Sequence, residues 1–343
     1  MSGLGDSCDR GWGMHENETQ DAPSAAEEPT EGSLAEPRSV PWDKTLESWN
    51  PLAVLMLAVA GAVGAFLLIW LGSSSTARSR QFVNSPAFVV WAAVIAVQGG
   101  FWAVVTVPLW REVVSTYRES GPPRRILLIP AAVILLIAGL VIFSPARAFD
   151  WPLAGHNVRV WILTAAAALS VGVPAVFGIC LVQDRVRRHK PGSLHTSDIL
   201  MAVNARAQIK RFLGLAGAAI GLVVLASGAL QRAVVPLFFS AAVFPASSVL
   251  LYGAFFTAIL VVVYVPAHLS LRRLCADLRE MWFPMAGMPD PTSADFASWL
   301  QGRDQLDAFT QFNLTVSQQL QAAIFVLTPL LSGILGALIP KAT

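Results

Sequence analysis

Long uncharged apolar runs, separated by short polar segments, make up most of this chain. Seven of them fall in the range of roughly 17 to 25 residues that a helix needs to cross a hydrocarbon core. They cover residues 52–71, 86–110, 126–143, 160–182, 212–230, 247–269 and 320–339. None alternates with period two, and an isolated strand would leave its backbone groups unpaired in lipid. The pattern predicts an all-α, polytopic membrane bundle of about seven transmembrane helices. Trp49, Trp70, Trp110, Trp151 and Trp161 stand at the ends of these runs, where amphipathic rings suit the headgroup boundary.

One stretch breaks the regular pattern. Residues 233–267 carry no charge and would span about 52 Å as one helix, too long for one crossing and too short for two. Pro236 and Pro245 interrupt its first half. The expectation for 233–245 is an apolar half-helix on the outer leaflet, with a re-entrant segment as the alternative.

The polar segments divide into a tail and loops. Residues 1–48 have eleven acids, three bases and no apolar run, and cannot bury enough surface to offset the entropy of ordering. They read as a disordered acidic tail, without the basic start and apolar stretch of a signal peptide. The bundle is assigned to 49–343. From Arg38 onward, 17 bases fall on the side shared with the tail and six on the other. That bias predicts a cytoplasmic N-terminus and an outside C-terminus in a plasma or inner membrane.

Two cytoplasmic loops are long enough to fold. In 183–211, Arg185, Arg187, Arg188 and Lys190 form a basic cluster, read as contacts to anionic lipid headgroups. His189 and His195 read as solvated. After a cap at Thr196 or Ser197, Ile199, Leu200, Val203, Ile209 and Phe212 recur at helical spacing and predict a helix running into the fifth span. In 270–319 the sixth helix continues outward, a proline-rich turn ends it, and Thr292 or Ser293 caps another helix. Phe296, Trp299, Leu300, Leu306, Phe309 and Phe312 form its apolar stripe. That stripe suits the membrane surface, the 198–211 helix or a cytosolic protein partner.

Composition narrows the chemistry. Only 13% of the 343 residues are charged, and 55% are hydrophobic. No ionisable residue lies in the middle of a predicted span, which argues against a proton relay, an ion pump or a carrier of charged substrates. The three cysteines, Cys8, Cys180 and Cys275, show no metal-binding spacing and read as free thiols. No catalytic residue, cofactor or metal ligand is assigned, and no glycine-rich phosphate loop supports a nucleic-acid or nucleotide partner.

The candidate packing or pore positions are Gln98, Pro174, Gly214, Gly217, Gly221, Gly228 and Pro329. Gln98 needs a partner in the centre of its span. Pro174 and Pro329 should distort their helices. The four glycines fall within about a 60° arc of one helix, a stripe that admits another backbone, from the same bundle or from a second copy in a homo-oligomer. The expected function is that of a non-enzymatic, channel-like or effector membrane component, regulated through its loops by a partner. The alternatives are a transporter of a neutral or lipophilic molecule and a structural anchor subunit.

Overall fold

The computed structural model of the chain describes residues 50–71, 75–120, 150–190, 195–235, 237–240 and 242–310, together with Ala132 and residues 324, 325, 327, 328 and 331–334. All lie in one compact unit, Ser39–Thr343. The predicted tail at 1–48 with Cys8, the predicted span 126–143 apart from Ala132, and Pro329 lie outside the described residues.

Among the described residues the elements are helical, with no strand. They are α1 (Pro51–Trp70), α2 (Ala77–Val83), α3 (Pro86–Ser120), α4 (His156–Ala167), α5 (Val173–Arg188), α6 (Thr196–Val234), α7 (Ala246–Trp282) and α8 (Ala294–Phe309). A π-helical turn, Ala168–Gly172, joins α4 to α5. Five helical stretches are long and apolar enough to cross a membrane: Pro51–Trp70, Pro86–Ser120, His156–Arg188, Thr196–Val234 and Ala246–Gly287. They correspond to five of the seven predicted spans.

The central helix is α5, which packs against α3, α6 and α7. From Pro174 to Asp184 every residue except Phe177 is buried, the burial expected of a helix apolar on all sides. Gly178 admits the Phe212 ring of α6 so closely that a Cβ there would lie 2.7 Å from it. By contrast α1 exposes Leu52, Leu55, Met56, Val59 and Val63, as a helix facing lipid would.

What holds α1 is a seam of small residues against α3. A Cβ on Gly99 would lie 2.4 Å from Ala65 Cβ and 2.5 Å from the Gly61 carbonyl oxygen, and one on Gly100 would lie 2.8 Å from the Ala58 carbonyl oxygen. Two backbones touch here because neither has a side chain between them. Arg159 of α4 completes the attachment, donating to the Leu68 carbonyl and, at 2.5 Å, to the Leu71 carbonyl. Leu68 belongs to the last turn of α1 and Leu71 caps it, positions whose carbonyls the helix itself leaves without partners.

The predicted distortion at Pro174 takes the form of the π-turn. Proline lacks the donor for the carbonyl four residues earlier, and its ring crowds that carbonyl. The wider turn absorbs the conflict. The Trp110 indole donates to the Leu169 carbonyl at 3.0 Å, so a backbone acceptor within the turn is satisfied from α3.

The two ends of the bundle differ. At one, turns rather than a half-helix follow α6. The Phe238 and Phe239 amides donate to the Val234 carbonyl and those of Val243 and Phe244 to the Ser240 carbonyl. The Gln231 amide holds the Phe244 carbonyl at 3.0 Å. Phe239 and Phe244 pack edge-on to Trp151, which stacks on His156 with ring centroids 4.1 Å apart. The expected surface half-helix is therefore replaced by an aromatic lid of turns, because Phe side chains find partners inward. Helix α2, which the sequence did not suggest, belongs to the same layer: Ser79 donates to the Pro152 carbonyl at 2.7 Å, and Arg78 pairs with Asp150 while lying over the Phe238 ring.

Candidate functional site

The opposite, basic end gathers the charged residues, and it is the candidate functional site. Four long helices project into it. At 1.5 Å per residue, the 35 residues of α3 and 39 of α6 reach about 52 and 58 Å, well beyond the roughly 30 Å of a hydrocarbon core. The predicted continuations are present: α6 is unbroken from Thr196 and α7 runs to Trp282.

Ion pairs join these projections. Glu112 on α3 accepts a hydrogen bond from Arg211 on α6 at 2.9 Å, with side chains 2% and 18% exposed. Glu119 on α3 accepts from Arg185 on α5 at 2.6 Å. Arg188 pairs with Asp184 one turn earlier. His189 lies 3.1 Å from Asp198 on α6, so it has an acidic neighbour and is not the solvated loop residue that was expected. The buried amides Gln183 and Gln208 belong to the same end.

Helix α8 is fastened by the same chemistry. Arg279 on α7 donates to Asp307 at 3.3 Å, and Arg206 on α6 donates to the Thr310 carbonyl. Arg303 donates to the Phe283 carbonyl at 2.9 Å and lies over the Trp299 ring. Of the expected apolar stripe, Leu306 is buried and Phe296 stacks on Trp299, while Leu300 and Phe309 are exposed; Phe312 lies outside the described residues. Ahead of α8, the Thr292 amide and hydroxyl donate to Asp290 and hold its carboxyl below the usual carboxylate range.

The sequence candidates fall in three places. Arg185 and Arg188 are engaged with Glu119 and Asp184, while Arg187 and Lys190 are exposed. Gln98 is 3% exposed, on the face of α3 that carries Ile95, Trp102 and Val105 inward. The glycines of α6 meet the C-terminal segment: Gly214 faces the Phe325 ring, a Cβ on Gly217 would lie 2.5 Å from the Phe325 carbonyl oxygen, and Gly221 faces Thr328 and Ser332. Gly228 is buried. Gly333 in turn sits against Val249 of α7 and Val224 of α6.

Sequence reasoning missed Glu112, Arg211, Gln183 and Gln208. A usable signal existed, since the inward face of α3 at 98, 102, 105 and 109 continues at helical period to 112, 113 and 116. No group of three or more His, Cys, Asp or Glu among the described residues could hold a metal. Cys180 and Cys275 are free and buried.

No family model, curated protein or solved structure matches this chain. Its functional reading rests on the geometry alone.

Proposed function

We propose that this chain is a seven-span membrane protein with a cytoplasmic basic end, acting as a non-enzymatic, channel-like or effector component whose helices rearrange when a cytosolic partner engages that end. The observation that carries the reading is the mechanical connection from α8 to the transmembrane helices. A partner that moves α8 pulls on α6 through Arg206 and on α7 through Arg279. The glycine face of α6 carries that movement to the segment seated on it.

Two relations support the count of seven. Glu119, near the end of α3, pairs at the basic end, whereas Asp150 pairs with Arg78 at the aromatic end. The described residues on either side of 121–149 thus lie at opposite ends of the bundle, which supports a crossing at the predicted span 126–143. Phe325, Thr328, Ser332 and Gly333 meet α6 in order from Gly214 to Val224, the course expected of a last crossing over 320–339. Exposed bases at one end support the orientation.

The test is permeability of proteoliposomes containing the full chain. Flux of ions or a small dye above that of empty liposomes, altered by a cross-link between α6 and the last segment, is expected. No flux under any condition, with proteins stably co-purifying, would replace the reading by that of an anchor subunit. Burial of the Gln98 amide within an apolar face favours the transporter as second reading, for which flux saturates with substrate and falls in Gln98→Leu.

A further inference from the structure

The basic end has a surplus of charge that its internal pairs do not use, and on α3 that surplus has a shape. Arg111 and Arg118 are both exposed and seven residues apart, so they share one helix face about 10.5 Å apart. Ser115 lies between them. These three, with Trp110, Val114 and Glu119, line a shallow, open hollow along this one face of α3. The acids on this helix do not oppose the arginines: Glu112 faces inward to Arg211, and Glu119 is matched by Arg185.

Polarity is graded along the hollow. Trp110 and Val114, exposed by 38% and 41%, begin where the predicted span ends at 110. The arginines and the serine hydroxyl extend below. An indole at the boundary with cations beneath it is the arrangement that receives an acyl chain above and a phosphate below. We infer that this face of α3 binds an anionic phospholipid, its phosphate between Arg111 and Arg118 and its chains against Trp110 and Val114. The inference rests on the membrane reading above. The site adjoins the 185–190 cluster, whose Arg185 neutralises Glu119 and whose Arg188 donates to the Ser120 carbonyl.

The experiment equilibrates the detergent-solubilised full chain with equal amounts of phosphatidylglycerol and phosphatidylcholine, then quantifies the lipid retained after affinity purification. The wild type should retain phosphatidylglycerol in excess, and Arg111→Gln/Arg118→Gln should reduce that excess on the order of tenfold. The pair Arg111→Lys/Arg118→Lys keeps the charge and should keep the excess. So should Arg273→Gln, which removes an exposed charge on α7 at the same end. Undiminished retention in the Arg111→Gln/Arg118→Gln protein, or an equal loss in the Arg273→Gln protein, overturns the site. Displacement of the lipid by inorganic phosphate, but not by chloride at equal ionic strength, would show a soluble-anion site and also overturn it. Alkaline carbonate extraction of the wild type from membranes tests the underlying reading separately, since retention in the membrane without lipid preference defeats the lipid site alone.

Discussion

Glu112 and Arg211 form an ion pair at 2.9 Å with almost no water on the acid, whose side chain is 2% exposed. Removing one member of such a pair takes the compensating charge away from a group that water can scarcely reach. Arg211→Met should therefore lower the stability of the folded chain by about 3 to 5 kcal/mol. Glu112→Gln/Arg211→Met should recover most of that loss. Unfolding in mixed micelles, followed by circular dichroism, measures both, and equal losses in the single and double variants would show that the two groups are not coupled.

The seam between α1 and α3 predicts a contrast between two glycines on α1 and its partner. Gly99 has no room for a Cβ, whereas nothing lies within 4 Å of a Cβ on Gly64. Gly99→Leu should lower the melting temperature, and Gly64→Leu should leave it within a degree or two of the wild type, a change under about 0.5 kcal/mol. Thermal scans of the two purified proteins in one detergent decide the matter.

Contact between α6 and the last segment can be trapped. A Cβ on Gly221 lies 2.8 Å from Thr328 Cγ2, close enough for Gly221→Cys/Thr328→Cys to form a disulfide. Oxidation should give an internal cross-link with a faster-migrating band. Adding Gly217→Leu, which pushes into the Phe325 carbonyl, should reduce its yield several-fold.

Arg159 predicts local rather than global loosening. Its guanidinium satisfies the Leu68 and Leu71 carbonyls, and the Leu71 amide closes the final turn of α1 on the Leu67 carbonyl at 2.8 Å. In Arg159→Gln, amide exchange should accelerate at the end of α1 while the middle of α5 keeps its protection. Hydrogen exchange with peptide-level resolution reads this directly.

The unequal legibility of these features has physical causes. The lengths of α6 and α7 could be read because amphipathic spacing at 198–211 and 270–282 adjoins an apolar run, and in α7 the helix continues through Pro266. The short α2 could not, since seven residues with two arginines hold too few positions to define a period. Glu112 lies just past the apolar run 86–110 and so looked like loop, although its helix continues to Ser120. Arg185 stands 66 residues from Glu119, and no local pattern encodes a pairing at that distance. The aromatic lid was not legible for the same reason: Phe239 and Phe244 turn inward only because Trp151 arrives from elsewhere in the chain.

The π-turn at Ala168–Gly172 also changes how this membrane segment must be aligned. One additional residue in a turn advances every later side chain by about 100° relative to an uninterrupted α-helix. The stripe that faces the bundle before Leu169 is therefore not the stripe that faces it after Pro174. Deleting one residue between 168 and 172 would leave length and hydrophobicity almost untouched, yet shift each later residue into its predecessor's place, so that Phe177 enters the buried place of Val176 and Ile179 meets the Phe212 ring where Gly178 now admits it. A segment that looks interchangeable with any other apolar run thus has a phase that its composition does not reveal.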